Sequence, residues 1–242
     1  MKHIFAIGGG ELVDLETLEI DKKIVEATGV ETPNALFIPT ASGEPEGYVE
    51  GFKAVYGDKL GCNTDVLYLL QGKTSEKQAY EKIMHADLIY VGGGNTKMMM
   101  ETWKKYGVDR SLKEAYSKGK VLAGLSAGSI CWFESGHSDS LSFDGNQEWV
   151  YIKVEGLGLL KGIHCPHFNE SNREADFVTK LSDIKISGIA IDNNCAIEFV
   201  DNKFRVLKSD VNAKAYLMQY VDGTIEKHEL TNHEAFETYE IY

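Results

Sequence analysis

The chain has 242 residues, of which 43% are hydrophobic and 26% charged, and its formal net charge at pH 7 is −12. A chain of this length forms one large domain or two small ones, and its composition is typical of a soluble globular protein. Because binding to phosphates requires clustered Lys and Arg, the excess of acidic residues argues against a nucleic-acid partner.

The cysteines and the apolar segments indicate the compartment. The four cysteines are widely spaced and form no C-x-x-C pair, which favours reduced, mostly buried thiols over disulfides or a zinc site. The N-terminal apolar run is too short for a signal peptide, and no segment approaches the roughly 18 apolar residues that span a bilayer. We therefore expect a cytoplasmic protein without a membrane partner.

The first half of the chain alternates strand patterns with helix patterns. The predicted strands are residues 3–10, 34–40, 64–70, 87–91 and 121–126. The predicted helices are residues 15–28, 48–60, 75–85, 97–106 and 109–118. This alternation predicts an α/β fold with a doubly wound, mostly parallel sheet and helices on both of its faces.

The second half of the chain has a different pattern. Residues 135–148 are polar and rich in Gly, Ser and Asp, as expected of an active-site loop. A short strand is predicted at 162–167 and a helix at 169–181. Further short strands, separated by turn dipeptides, are predicted at 188–191, 196–200, 204–207, 215–220 and 224–228. Without a linker, we expect a single domain, 1–242, whose antiparallel tail extends or caps the sheet.

The stretch Gly124-Leu125-Ser126-Ala127-Gly128 fits the nucleophile-elbow pattern, in which a serine occupies a sharp turn between a strand and a helix. Residues 121–123 have the character of a buried strand, and residues 130–132 that of a helix. The N–H groups at the start of such a helix stabilise negative charge that develops near the serine. The alternative is a tight turn that carries a serine without catalytic use.

A serine nucleophile needs a base, usually a histidine, and the chain has seven histidines. His164 and His167 lie in GIHCPHFN at the end of a predicted strand, where parallel sheets gather their chemistry. Pro166 fixes the backbone before His167, which favours His167 as the base and leaves His164 packed in the strand. His137 lies in the polar loop, a poor place to fix a base. The others are expected to be structural or solvated: His3, His85, His228 and His233.

Three aspartates are candidates for the carboxylate that orients the base. Asp192 ends the predicted strand GIAID, which places it at another strand end. Asp139 and Asp144 lie in the loop that follows the elbow. Each could instead be an ordinary loop or cap aspartate.

Two glycine runs follow predicted strands, at residues 8–10 and 92–94. Neither has the spacing of a dinucleotide fingerprint or the Lys-Ser/Thr of a P-loop, so we expect no nucleotide cofactor. The second run could supply a backbone N–H to an oxyanion hole. Histidines and carboxylates nowhere adopt metal-ligand spacing in the sequence, and we expect no metal.

The motifs YVGGGNT, GLSAGS, HSDS, CPHFN and AIDNNCAI together resemble the peptidase E family of serine peptidases. That family contains the α-aspartyl dipeptidases and, more distantly, the cyanophycinases. The resemblance covers residues 4–200 in order and spacing. It implies a doubly wound, flavodoxin-like α/β sheet similar to class I glutamine amidotransferase domains, in agreement with the pattern of elements above.

The resemblance also implies roles for particular residues. Ser126 would be the nucleophile and His167 the general base, with Asp192 or Asp139 as the third member of the triad. Asp192 is the better placed of the two, at a strand end. The N–H of Ala127 and one N–H from the 92–94 glycine run, that of Gly93 or Gly94, would hold the oxyanion.

Substrate contacts are implied for Asn95 and Arg173, the latter matching an arginine linked to recognition of an N-terminal aspartate. The alternative for Arg173 is a solvated helix residue. The loop between His167 and Arg173 is shorter than in enterobacterial-type dipeptidases, and the elbow continues as the less polar SICWF. Both departures concern the substrate pocket.

We therefore expect a cytosolic serine peptidase that cleaves short peptides through an acyl-enzyme, a dipeptidase with a preference for N-terminal aspartate. A small peptide is the expected substrate, and a homodimer is compatible with the sequence. Two alternatives stay open. One is an α/β-hydrolase esterase, and the other is a catalytically silent, amidotransferase-like binding domain.

Overall fold

The computed structural model describes residues 1–72, 74–144, 150–231 and 237–238, with only the backbone described for Asp144, Glu237 and Thr238. Three features of the sequence therefore lie outside the described residues. They are residues 145–148 of the predicted loop, His233, and the side chain of Asp144.

The strands and helices follow the predicted alternation in the first half of the chain. The strands are β1 (His3–Ile7), β2 (Asn34–Ile38), β3 (Asn63–Val66), β4 (Leu88–Val91), β5 (Val121–Leu125), β6 (Phe133–Ser138), β7 (Ile152–Glu155), β8 (Leu160–Cys165), β9 (Gly188–Ile191), β10 (Cys195–Val200), β11 (Lys203–Lys208), β12 (Ala215–Val221), β13 (Thr224–Glu229) and β14 (Glu237–Thr238). The helices are α1 (Leu18–Glu26), α2 (Glu46–Phe52), α3 (Glu76–His85), α4 (Thr96–Tyr106), α5 (Val108–Ser117), α6 (Ala127–Ile130) and α7 (Arg173–Ile184). A π-helix, Lys53–Lys59, continues α2.

The first sheet has the strand order β14-β11-β10-β1-β5-β4-β2-β3. Its strands β1, β5, β4, β2 and β3 pair in parallel. β10 pairs with β1, and β11 with β10, in antiparallel fashion. Consecutive residues of β1 face opposite sides, with Ile4 in one hydrophobic cluster and Phe5 in the other. The sheet is therefore buried on both faces, which explains its continuous apolar strands. The predicted α/β class with a mostly parallel sheet and an antiparallel extension is confirmed.

A second sheet, β13-β12-β9-β8-β6-β7, was not predicted. In it β8 pairs in parallel with β6 and β9, and the remaining pairs are antiparallel. The predicted loop at 135–148 is wrong in its first part, because β6 is a buried strand. Its polar side chains find partners in the interior. The Oγ of Ser138, for example, lies 2.7 Å from that of Ser140.

The helix predicted at residues 130–132 is also shorter than expected, because α6 ends at Ile130. The carbonyl groups of Cys131 and Trp132 accept hydrogen bonds from the chain that leads into β8, including one from the N–H of Leu160, the first residue of β8, at 2.9 Å. The chain therefore turns here into the second sheet.

The two sheets meet where their strands end. Ser126 N–H donates to the carbonyl of Ile7 at the end of β1 (3.0 Å), and His167 N–H donates to that of Gly8 (2.9 Å). Phe168 N–H donates to the carbonyl of Ile191 at the end of β9 (3.1 Å). The last two bonds fasten the segment after β8 to the carboxyl ends of β1 and β9, one strand from each sheet, which is where an α/β fold builds its sites.

All four cysteines are buried free thiols, as predicted: Cys62, Cys131, Cys165 and Cys195. In the described part of the chain, no helix is both long enough and apolar enough to cross a bilayer.

Candidate active site

Ser126 occupies a strained turn between β5 and α6, with φ 55° and ψ −112°. Two glycines make this turn possible. A Cβ on Gly124 would lie 2.0 Å from the carbonyl oxygen of Gly128, and a Cβ on Gly128 would lie 2.2 Å from that of Val91. Strain of this kind persists only where surrounding structure holds it, and it is common where a side chain must be presented for chemistry.

His167 lies within hydrogen-bonding distance of Ser126. The Nε2 atom of His167 is 2.8 Å from Ser126 Oγ, and its Nδ1 atom is 2.6 Å from Oδ1 of Asn193. An amide oxygen only accepts, so Nδ1 carries the ring proton and Nε2 accepts from the serine hydroxyl. Burial lowers the pKa of His167, and the charge of Glu170 opposes this shift. The imidazole is therefore neutral near pH 7, the form that a general base requires.

Asp192 does not hold the place predicted for it. Its Oδ2 accepts a hydrogen bond from Lys214 N–H (2.9 Å), and its own N–H donates to the Lys214 carbonyl (2.9 Å). Both bonds continue the pairing of β9 with β12. β9 ends at Ile191 and the chain turns at Asn193, whose side chain lies against His167 instead. The prediction was wrong by one position, and the partner of His167 is an amide.

Asp139, the other predicted third member, lines the same cleft as Ser126 and His167. Its carbonyl accepts the N–H of Ser142 at 2.8 Å, in the turn that follows β6. The hydrogen bond at His167 Nδ1 is made by Asn193, so the structure gives Asp139 a place in the cleft wall and not in the triad.

The cleft in front of Ser126 has a volume of about 450 Å³. Its lining includes four acidic residues and, among the residues described there, neither Lys nor Arg. The acidic residues are Glu11, Glu16, Asp139 and Glu170. The site therefore attracts cationic groups and repels anionic ones.

The glycine run after β4 lies against the nucleophile. A Cβ on Gly93 would lie 3.3 Å from Ser126 Cβ, and Gly93 N–H is 3.4 Å from the hydroxyl of Tyr48. Burial raises the pKa of Tyr48 to about 12, so this hydroxyl stays protonated. Gly94 also lines the cleft, and Ala127 begins α6, where first-turn N–H groups lack helical partners. This arrangement is compatible with the predicted oxyanion hole, which stays a prediction.

Asn95, a predicted substrate contact, makes structural hydrogen bonds within the protein. Its Oδ1 accepts from Met98 N–H (3.0 Å) and caps α4, while its Nδ2 donates to the carbonyl of Ser140 (3.3 Å). Both ends of the amide are thus engaged in holding the glycine run and the turn after β6, and the prediction of substrate contact is not supported by this geometry.

Arg173 is buried and is not among the residues that line the cleft, so the alternative of a solvated helix residue is wrong, while its predicted contact with the substrate stays a prediction. Its side chain is buried, with Nε donating to the carbonyl of Pro166 (3.0 Å) and the guanidinium 4.4 Å from the ring centroid of Tyr151. Within the described residues its Nη1 has no hydrogen-bond partner. A second cavity of about 530 Å³ is lined by Tyr151 and Glu170 among others, and Glu170 lines both cavities.

The remaining histidines near the site are fixed in the interior. His164 is fully buried in β8, as predicted. His137 is held in β6, with Nε2 2.6 Å from Oδ1 of Asp176, and burial lowers its pKa to about 4. Neither is bonded to Ser126, so His167 is the base that the structure brings to the serine.

Sequence analysis missed Gly9 as well as Asn193. A Cβ on Gly9 would lie 2.0 Å from Oδ1 of Asn193 and 2.4 Å from Nδ1 of His167. The missing side chain of Gly9 thus makes room for the pair. The sequence did contain a signal for Gly9. A glycine run at the end of a strand that does not fit a phosphate-binding motif indicates that another group packs closely against the backbone there.

Comparisons with known proteins agree with this site. The sequence profile of peptidase family S51 matches residues 4–207. The chain belongs to peptidase family S51. It is 35% identical over 229 residues to YgaJ of Bacillus subtilis (strain 168), an uncharacterized peptidase, and the match covers 93% of this chain and 95% of YgaJ.

Solved structures show the same fold as this S51 chain. A peptidase from an acI-B1 actinobacterium superposes with a TM-score of 0.75 at 23% identity, covering 99% of this chain and 97% of the other. A Listeria monocytogenes EGD-e protein with a provisional peptidase E designation superposes with a TM-score of 0.65 at 23% identity, covering 86% and 98%. The expected peptidase E-type fold is confirmed, and the family makes this protein a hydrolase of the serine peptidase type.

Proposed function

We propose that this S51 peptidase hydrolyses short peptides as a dipeptidase, through an acyl-enzyme on Ser126 with His167 as general base. The observation that carries the proposal is the 2.8 Å contact between Ser126 Oγ and His167 Nε2 at a strained elbow. A serine hydroxyl that donates to a neutral imidazole is poised to lose its proton as it attacks a carbonyl.

The steps follow from the site. Ser126 Oγ attacks the scissile carbonyl as its proton passes to His167 Nε2, and the oxyanion forms near the N–H groups of Gly93 and Ala127. The protonated His167 then donates its proton to the leaving amine, and the C–N bond breaks. Water, activated in turn by His167, hydrolyses the acyl-enzyme and regenerates the serine.

The charge of the cleft supports action at a free amino terminus. Besides Glu170, which lies next to His167, three acidic residues line the space in front of Ser126, namely Glu11, Glu16 and Asp139, and a peptide's α-ammonium group is the one cation that every short peptide carries. An N-terminal ammonium placed among them would set the first peptide bond of the substrate against the serine.

The finer preference for N-terminal aspartate rests on Arg173. In its favour, Arg173 has a buried Nη1 without a partner in the described residues, and the cavity beside it adjoins the cleft at Glu170. Against it, an aspartate side chain would meet the same carboxylates that attract the ammonium. The preference stays a prediction.

A dipeptide panel tests the proposal: Asp-Leu, Ala-Leu, Leu-Leu and Lys-Leu, each with a free and with an acetylated amino terminus, and an acyl ester of alanine. We expect hydrolysis of free dipeptides, a drop of at least about 100-fold on acetylation, and loss of activity in Ser126→Ala. Ser117→Ala, an exposed serine at the end of α5, is the matched control and should keep full activity.

Other outcomes are equally informative. Activity confined to the ester would replace the peptidase with an esterase. No hydrolysis, together with no reaction between Ser126 and a serine-directed fluorophosphonate, would favour a silent binding domain. A preference for Asp-Leu that is lost in Arg173→Lys would establish the role of Arg173.

A further inference from the structure

The partner of His167 presents a chemical difficulty. A triad needs a group that fixes the imidazole tautomer and stabilises the imidazolium, and a carboxylate does both. The amide of Asn193 is neutral, so it gives little stabilisation to the positive ring. An amide can also present its NH₂ group, which would favour the wrong tautomer.

A carboxylate stands beside the same ring nitrogen. Glu170 Oε1 lies 3.4 Å from His167 Nδ1, while Asn193 Oδ1 lies 2.6 Å from it. The backbone holds Glu170 there, because its N–H donates to the His167 carbonyl (3.0 Å) and its carbonyl accepts from Arg173 N–H (3.2 Å). Glu170 is therefore part of the tight turn that also sets the position of the base.

The other charges around His167 are weaker or of opposite sign. The charge of Glu170 is the strongest influence that raises the pKa of His167 against burial, ahead of the Asn193 hydrogen bond and of Asp139. Arg173 acts in the opposite direction. Among the carboxylates near His167, Glu170 therefore has the largest effect on the pKa of the imidazole.

We propose that the third member of the triad is divided between two side chains. Asn193 fixes the ring orientation, and Glu170 is a positioning residue that supplies the negative charge and, because an ionised carboxylate only accepts, enforces the Nδ1–H tautomer. During attack one proton moves, from Ser126 Oγ to His167 Nε2, while Nδ1 keeps its proton and Glu170 stays ionised. The inference rests on the function proposed above.

Kinetics of Glu170→Gln test this division. The change keeps the shape of the side chain, removes its charge and replaces one acceptor oxygen by an NH₂ group. We expect kcat to fall about 10-fold or more, KM to change little, and the acidic limb of kcat/KM to move to lower pH. The matched control is Glu174→Gln, one helical turn further along the chain. Glu174 is exposed and paired with Lys227, so this variant should leave kcat, KM and the acidic limb of kcat/KM unchanged.

A rise in KM with kcat and the pH limb unchanged would overturn the proposal, because Glu170 would then be a substrate contact. Rescue gives a second criterion. Asn193→Asp, added to Glu170→Gln, should restore kcat and move the acidic limb of kcat/KM back toward higher pH, because it places a negative charge next to the imidazole of His167 again. Failure of that rescue would show that charge at Nδ1 is not what Glu170 supplies.

An NMR titration separates this inference from the proposed function, because it needs no turnover. The imidazole of His167 is titrated in Ser126→Ala, with and without Glu170→Gln. We expect its pKa to be lower when Glu170 is changed, even if no peptide substrate is ever found. An unchanged pKa would overturn the division, whereas a shifted pKa in an enzyme without peptidase activity would overturn only the substrate assignment.

Discussion

Ser129 Oγ lies 2.8 Å from Nε2 of His164, so the serine–histidine contact of the active site is repeated one helical turn deeper. His164 Nδ1 is 3.0 Å from the carbonyl of Ile189, which only accepts, so Nδ1 carries the ring proton. The Ser129 hydroxyl also lies 2.7 Å from the carbonyl of Ser126, so its single proton is shared between that carbonyl and Nε2. Both side chains are fully buried, so no substrate reaches this pair. Its position joins α6, β8 and β9, and so it braces the elbow against the second sheet.

The buried His164 predicts a loss of stability in acid. Burial lowers its pKa from 6.5 to about 3. Between these values the unfolded chain binds a proton that the folded protein does not, so the free energy of unfolding decreases as the pH falls from 6.5 toward 3. The slope from one such group approaches about 1.4 kcal/mol per pH unit. Urea denaturation at half-unit intervals from pH 4 to pH 8 measures it.

His164→Gln should lower stability near pH 7 and flatten that slope, and the exposed His228→Gln is its control. His137, whose pKa is lowered to about 4 by burial, acts in the same direction, so part of the slope should remain in His164→Gln. An unaltered slope in that variant would contradict the assignment of the acid sensitivity to His164.

The buried Asp21 of α1 predicts the opposite dependence of stability on pH. Burial raises its pKa from 3.8 to about 7, against hydrogen bonds from Tyr56 and Thr17. The stability that protonated Asp21 contributes is fully present below pH 3.8 and is lost as the pH rises through 7. Asp21→Asn should therefore be more stable than wild type at pH 8, by on the order of 2 kcal/mol, with a smaller gain at pH 5. Equal effects at the two pH values would show that Asp21 is already ionised in the fold.

The elbow, the base and the parallel sheet were predictable because their signals are local. Ser126 is defined by five adjacent residues, and His167 by the proline before it and by the end of a strand. Asn193 was not predictable in the same way. Which of two neighbouring side chains turns toward His167 depends on the pairing of Asp192 with Lys214, a contact across 22 residues.

The second sheet was missed for a related reason. β6 has the composition of a loop, because its polar side chains are satisfied by residues distant in the sequence, such as Asp176 for His137. Periodicity does not reveal such partners. The position of Arg173 was missed for the same reason, since only the fold shows that its guanidinium packs on the ring of Tyr151 and that its Nε donates to the carbonyl of Pro166.

Asn193→Asp, as a single change, should produce a more conventional triad. A carboxylate 2.6 Å from His167 Nδ1 would raise the pKa of the imidazole and stabilise the imidazolium formed during attack. We expect kcat to rise about 3- to 10-fold above pH 7, and the acidic limb of kcat/KM to move to higher pH. The pH profile of dipeptide hydrolysis measures both. A fall in kcat with an unmoved limb would mean that the amide is needed for a reason other than orientation.

Gly9→Ala tests the close packing behind the catalytic pair. The added Cβ would meet Asn193 Oδ1 at 2.0 Å and His167 Nδ1 at 2.4 Å, so the ring must shift away from Ser126. We expect kcat/KM to fall about 100-fold or more, because a displacement near 1 Å is costly to catalysis, while stability drops by only about 1–3 kcal/mol. Gly47→Ala in α2, where an added Cβ meets nothing within 4 Å, is the control and should keep full activity and gain up to about 1 kcal/mol. Full activity in Gly9→Ala would show that His167 and Asn193 can move without leaving the serine, and that their contact with the β1 loop is not what sets their geometry.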